Sequence, residues 1–316
     1  MEDLFNKLDN IILKYDSIII MGHSNPDLDS FGASLALYKR ICQLEKKCYI
    51  FLENDFSSYN NLMQKSLCKV ENVNYINSHS LIDFANCLLI IVDVHQKNRL
   101  EYPDVLNKIE DVIILDHHIR DRRCIKNTKL IYINSNLSSM IELMTFYLEH
   151  CSISVDSDVA TIMLAGLEID TNNYNLKTTS RTYKAASMLV EFGADITTKH
   201  ELLKETKEDF IKRADYIKNS YIVNSNVAIC ILPETSKRET LAVVADELLN
   251  FEDVVKSFAI AKLSNNEVGV SARCLSNYEI LSVIKKLGGG GSMTNAATVT
   301  NKSIREIKNI IIKYTR

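Results

Sequence analysis

A chain of 316 residues with 46% hydrophobic content can bury a sizeable core and, at roughly 100 to 200 residues per domain, form two domains. Its formal net charge of −3 gives no reason to expect an unspecific binder of long nucleic acid, which shows a strongly basic balance or stripe. Eight cysteines with no C-x-x-C pair and no signal peptide before them read as reduced thiols of a cytoplasmic protein, and no apolar run approaches the ~20 residues that span a bilayer.

Residues 3–15 carry apolar side chains at helical spacing, and SIIIM at 17–21 predicts a buried strand that Gly22 ends. A helix is predicted from Ser30, read as its N-cap, to about Lys46. CYIFL at 48–52 predicts a second strand, followed by a helix-like stretch near 58–67 and a short strand near 70–76. NCLLIIVD and VIILD run apolar without alternation and end on Asp93 and Asp116, as strands buried on both faces of a parallel sheet do. LIYI at 130–133 predicts another strand, and Ser139 and Glu142 have capping-box spacing.

Strand and helix signals alternate over the first 150 residues, which predicts an α/β domain with a mostly parallel sheet. Residues 156–218 read as helical. Beyond them come YIVNSNVAICIL, a helix near 240–249, and the strands VVKSFAIAKL and EVGVSAR separated by a Ser-Asn-Asn turn. These predict a smaller α+β domain closed by a helix at 301–314. The expected division is a catalytic domain at 1–195, a helical linker at 196–220 and a second domain at 221–316.

Ligands of open parallel sheets bind beyond the carboxyl ends of the strands. The loop GHSNPDLD, Asp93 and Asp116 all fall just past predicted strand ends. His23, Asp27 and Asp29, with no cysteine nearby, form a donor set suited to Mn, Fe, Mg or Co rather than to a thiolate zinc site. Two aspartates at i and i+2 cannot easily chelate one ion, but each can reach a different ion of a close pair, and Asp93 can bridge them. Two ions about 3.5–4 Å apart clamp a phosphoryl group during in-line displacement.

Any one of these residues alone reads as a turn residue or a helix cap. The functional reading rests on the convergence of His23, Asp27, Asp29, Asp93, Asp116, His117 and His118 on one edge. The glycine run 288–291 before SMTNAAT fits either a phosphate cradle or a flexible turn. Residues 119–129 set Arg120, Arg122, Arg123, Lys126 and Lys129 against Asp121, which reads as a solvated basic loop.

In order along the chain, GHSNPDLDSFG, VDVHQ, LDHH, AGLEIDTNNY and GGGGSMTNAAT resemble the motifs of the DHH-type phosphoesterases that carry a DHH-associated C-terminal domain, over about residues 15–300. With TNAAT after the glycines and SAR at 271–273, the chain is most similar within that family to the catalytic part of the cyclic-di-AMP phosphodiesterases. Their N-terminal membrane and sensor region has no counterpart here, so a stand-alone form or a catalytic fragment is expected.

The resemblance implies two divalent ions, with manganese expected. His23 and Asp27 would hold one, Asp29, His117 and Asp170 the other, with Asp93 bridging; Asp170 enters only through the resemblance. Asp116 and His118 would position His117 or assist the leaving group. Arg273, Asn295, Gly288, Gly289, Gly290, Gly291 and Ser292 would hold the substrate phosphates and nucleotide. The match departs from the family at Ser292, where a histidine usually follows the glycines.

The implied activity is hydrolysis of cyclic-di-AMP to pApA through a metal-bridging hydroxide. Short-oligoribonucleotide exonuclease or 3′,5′-bisphosphate (pAp) phosphatase activity is the alternative within the enzyme class. A catalytically impaired nucleotide-binding module is the alternative outside it. The family also implies a homodimer acting on a cyclic dinucleotide or short oligonucleotide, with no membrane segment in this chain.

Overall fold

The computed structural model describes residues 1–53, 56–80, 83–120, 122–263, 267–275 and 277–315; Asp121 and the Ser-Asn-Asn turn lie outside the described residues. The chain divides into two compact units, Met1–Lys204 and Glu205–Arg316.

The first unit is an α/β domain. Its strands β1 (Ser17–Met21), β2 (Lys47–Phe51), β3 (Tyr75–Ile76), β4 (Cys87–Val92), β5 (Val112–Asp116) and β6 (Leu130–Ile133) form a sheet ordered β3-β2-β1-β4-β5-β6, every pair parallel. The unbroken apolar runs have their cause in this arrangement. Ile18, Ile20, Leu88, Ile90 and Val92 enter one core, while Ile19, Met21, Leu89 and Ile91 enter a second on the opposite face.

The helices are α1 (Glu2–Ile12), α2 (Leu28–Gln43), α3 (Asn61–Leu67), α4 (Met140–His150), α5 (Ser157–Asp170), α6 (Ser180–Glu191) and α7 (Ile196–Leu203). Among them, α2 packs against both α4 and α5. The strand order reverses between β1 and β4, the topological switch point where ligands of such sheets bind. Both strands end directly at candidate site residues.

Two local expectations are corrected. Helix α2 starts two residues earlier than predicted, because Asp27, not Ser30, is its N-cap: Asp27 Oδ1 accepts the Ser30 N–H at 3.0 Å. Ser30 is buried instead, close enough to Gly22 that a Cβ there would sit 2.2 Å from its hydroxyl oxygen. At α4, Ser139 does cap the helix through the Glu142 N–H at 3.0 Å, but the reciprocal half of the capping box is missing. The Glu142 carboxylate is buried and accepts from the Ser138 and Thr182 hydroxyls at 2.6 and 3.0 Å, since a buried charge needs partners more than the helix end needs a second cap.

The second unit holds α8 (Lys207–Lys218), β7 (Tyr221–Val223), β8 (Val227–Ile231), α9 (Arg238–Leu248), β9 (Lys256–Lys262), β10 (Val268–Cys274), α10 (Leu281–Lys286), β11 (Gly290–Gly291), β12 (Asn295–Thr300) and α11 (Ile304–Tyr314). Its sheet is ordered β11-β12-β10-β9-β8-β7, antiparallel except for β8 with β9. One face packs on α10 and α11, the other on α9. The stretch 196–220 is two helices, α7 in the first unit and α8 in the second.

Candidate metal centre

The carboxyl edge of the first sheet brings six of the predicted residues together. His23 follows β1, Asp27 caps α2, and Asp29 lies in its first turn; Asp93 follows β4, His117 follows β5, and Asp170 ends α5. His23 Nδ1 lies 3.0 Å from the Ser24 carbonyl oxygen, which can only accept, so Nδ1 carries a proton and Nε2 is the nitrogen that faces the acids. That Nε2 is 3.5 Å from Asp27 Oδ2 and 3.5 Å from Asp93 Oδ2. His117 Nε2 is 3.2 Å from Asp93 Oδ1 and 3.7 Å from both Asp29 Oδ2 and Asp170 Oδ2. The two oxygens of Asp93 therefore face two different histidines.

Backbone geometry fixes this arrangement. Asp93 has φ +62°, a left-handed conformation that is uncommon for a residue with a side chain and that clusters at functional sites. Asp29 is buried, and its two oxygens accept the Ile141 and Met140 N–H groups at 2.8 Å each, which ties the carboxylate to the start of α4.

Fit to divalent ions was judged from the donors themselves. Three groups, His23–Asp27–Asp93, Asp29–His117–Asp170 and Asp93–His117–His118, each offer ligand atoms within 4.8 Å of one another, and Asp93 belongs to two of them. Asp93 Oδ1 and Asp170 Oδ2 are buried without a hydrogen-bond partner, which costs about 1–3 kcal/mol for each group unless something else supplies one. The oxygen- and imidazole-nitrogen set suits hard-to-borderline divalent ions.

Electrostatics agree. Burial opposes charge on His23, yet Asp27 and Asp93 raise its pKa well above the ordinary imidazole value. Burial likewise opposes charge on His117, but Asp170, Asp93 and Asp29 lift it to about 10. Burial, then the Asp93 and Asp170 charges, push Asp29 well up. Burial works against charge on Asp93 too, but the adjacent His117 and His23 imidazoles hold it far below the carboxylate range. A cluster this rich in negative charge gathers protons when no metal is bound, and metal ions compete with those protons.

Asp116 and His118 stand beside this group. Asp116 is fully buried, and its Oδ1 accepts both the His118 backbone N–H at 3.0 Å and Nδ1 at 2.8 Å. Its Oδ2 is held by the buried His95 Nδ1, a contact that sequence reasoning missed. The available signal was a histidine two residues past Asp93 in a segment already singled out.

The substrate-contact candidates lie in the second unit. Arg273 on β10 faces Asn295 on β12 in register. Its Nε donates to Asp246 Oδ1 at 2.8 Å, and Nη1 donates to Ser271 Oγ and the Ala272 carbonyl, each at 3.0 Å. Asp246 carried no sequence signal, being one acid on an ordinary helix. Asn295 Oδ1 is buried and unpartnered.

Within the glycine run, Gly289 and Gly291 are required by close approach to β12: a Cβ would meet the Ala297 oxygen at 2.3 Å and the Asn295 oxygen at 2.4 Å respectively. A Cβ on Gly290 would meet nothing within 4 Å. Ser292 is buried, with its Oγ accepting the Asn295 N–H at 2.9 Å and its own N–H donating to the Asn295 oxygen at 2.7 Å. Its hydrogen bonds close the turn between β11 and β12.

The DHH family, N-terminal domain, matches residues 17–167. The chain is 33% identical over an alignment of 323 residues to "Cyclic-di-AMP phosphodiesterase GdpP" of Bacillus subtilis (strain 168), covering 97% of this chain and 49% of that one. It is 26% identical to "Bifunctional oligoribonuclease and PAP phosphatase NrnA" of Mycoplasma genitalium, covering 96% and 94% of the two chains. The chain thus spans about half the length of the cyclic-di-AMP phosphodiesterases it matches. An exopolyphosphatase-related protein from Bacteroides fragilis shares the fold with a TM-score of 0.82 at 15% identity, covering 99% of this chain and 95% of that one. Residues 17–167 form a DHH-family N-terminal domain.

Proposed function

We propose that this chain is a metal-dependent phosphodiesterase that opens cyclic-di-AMP to pApA, with two divalent ions, manganese the expected pair, at His23, Asp27, Asp29, Asp93, His117 and Asp170. The observation that carries the reading is Asp93, whose two oxygens face His23 at 3.5 Å and His117 at 3.2 Å while Oδ1 lacks a hydrogen-bond partner. Two divalent ions, when bound, supply positive charge that stabilises charge developing on the phosphoryl oxygens and make water more acidic.

The chain's own residues do the rest. Asp29, held by the Met140 and Ile141 N–H groups, keeps one face of the centre fixed. Asp116 accepts a hydrogen bond from His118 Nδ1–H, which leaves Nε2 as the nitrogen that, when protonated, passes its proton to the departing 3′ oxygen. Arg273, Asn295 and the glycines from Gly288 to Gly291 bind the nucleotide, and Ser292 holds the turn that carries Asn295. The resemblance also favours a cytoplasmic homodimer acting on a small nucleotide. No helix among the described residues is long and apolar enough to cross a membrane.

The second reading is short-oligoribonucleotide or pAp hydrolysis, favoured by the match over nearly the whole length of the Mycoplasma relative. A binding module without turnover is the third. Chromatographic product analysis with Mn2+ on cyclic-di-AMP, pApA and pAp separates them. The proposal expects pApA from cyclic-di-AMP; cyclic-di-AMP left intact while pAp is dephosphorylated overturns it, and binding without any product favours the module.

A further inference from the structure

The basic loop after His118 is not used by the mechanism above. It surrounds a cavity of about 410 Å³ lined in part by Arg120, Arg122, Lys126, Asn127 and Thr128, with no carboxylate among its described lining residues. Arg120, Arg122 and Lys126 are exposed and make no ion pair among the described residues, whereas the neighbouring Lys129 is paired with Asp111 at 2.9 Å. Three cations around one cavity repel one another unless an anion joins them, and the planar guanidinium fork matches phosphate oxygens in two-point hydrogen bonding.

The loop is also braced to the candidate metal centre. The Ile125 N–H donates to the His95 carbonyl at 2.9 Å, and Gln96 forms an isolated antiparallel bridge with Cys124. These contacts fasten it to the segment that follows Asp93. Arg120 is two residues past His118, so their Cα atoms are no more than about 7 Å apart. Arg120 is therefore close to His118, and residues 124 and 125, between Arg122 and Lys126, are held against the segment that follows Asp93, the fixed backbone a preorganised subsite needs.

We propose that the cavity bounded by Arg120, Arg122 and Lys126 is a phosphate subsite that takes the second, non-reacting phosphate of a dinucleotide while the first is cleaved. The inference rests on the phosphodiesterase reading, because that reading supplies a substrate with two phosphates. The subsite confers preference for substrates with two phosphates over those with one.

The test is the triple variant Arg120→Gln, Arg122→Gln, Lys126→Gln in the full chain with Mn2+. Its KM is measured for cyclic-di-AMP and for bis(4-nitrophenyl) phosphate, a diester with a single phosphate. The expected result is a rise of about tenfold in the ratio of the two KM values, the size of losing one charged hydrogen-bonding group. Lys129→Gln, which removes a cation outside the cavity, should leave that ratio within a factor of about two. An unchanged ratio in the triple variant, or an equal loss on both substrates, overturns the subsite.

If the wild type turns over no cyclic-di-AMP, the phosphodiesterase reading fails, and calorimetric binding of pApA then decides. Weakening by about tenfold in the triple variant upholds a dinucleotide phosphate subsite. Equal binding by both proteins, or none by the wild type, overturns it.

Discussion

At the edge of the first sheet, Asp93 Oδ1 and Asp170 Oδ2 are buried without hydrogen-bond partners. At the glycine run of the second unit, Ser292 directs both its hydroxyl and its N–H at Asn295, and Gly289 and Gly291 lie against the backbone of β12. Both segments carry motif residues, yet their polar groups are used in opposite ways. An unpartnered buried polar atom costs about 1–3 kcal/mol, so two such carboxylate oxygens in one place suit completion by a cation. A segment whose groups are paired internally is holding its own shape, and only Asn295 Oδ1 there still lacks a partner.

The largest effect should come from breaking the first region at its centre. Asp93→Ala should lower kcat on cyclic-di-AMP by about 10³-fold, the scale of removing a principal electrostatic element. A steady-state assay checks this, and retention of a tenth of the activity would contradict the assignment. One layer out, Asp116→Asn removes the negative charge that holds His95 and orients His118. It should cost about 10–100-fold in activity with the circular dichroism spectrum unchanged, as loss of an outer-shell partner does.

In the second region the prediction concerns stability. Gly291 has φ +143° and no room for a Cβ, so Gly291→Ala should cost about 1–3 kcal/mol in urea unfolding, while Gly290→Ala should stay within about 0.5 kcal/mol. Equal effects at the two positions would show that the run is not held against β12. A smaller loss than at Gly291 is expected at Ser292, where Ser292→Ala removes the turn-closing hydroxyl and should cost about 0.5–1.5 kcal/mol.

The two regions also differ in how far they could be read in advance. Strand β1 has the bounds its apolar run predicted, and β4 and β5 follow theirs, because strands buried on both faces have no choice but unbroken hydrophobicity. His23, Asp27, Asp29 and Asp93 were legible because each follows a strand end. Asp170 was not, since an acid at the end of a helix has many ordinary uses. Asp116 was visible as a strand-end acid, but its partner His95 was not, because side-chain pairing between segments leaves no periodic trace.

The Asp27 cap was misplaced onto Ser30 by composition alone, since both residues are good caps and only the packing of Ser30 beneath Gly22 decides between them. In the glycine run, sequence could not separate a cradle from a turn. The difference lies in which glycine a neighbouring backbone touches.

The proposed two-ion centre around Asp93 is tested most directly by counting metal. After equilibrium dialysis against Mn2+ and elemental analysis, the wild type should hold two ions per chain, and Asp93→Ala should hold one or fewer. A wild type that binds a single ion, or an Asp93→Ala variant that still binds two with unchanged affinity, would contradict the account.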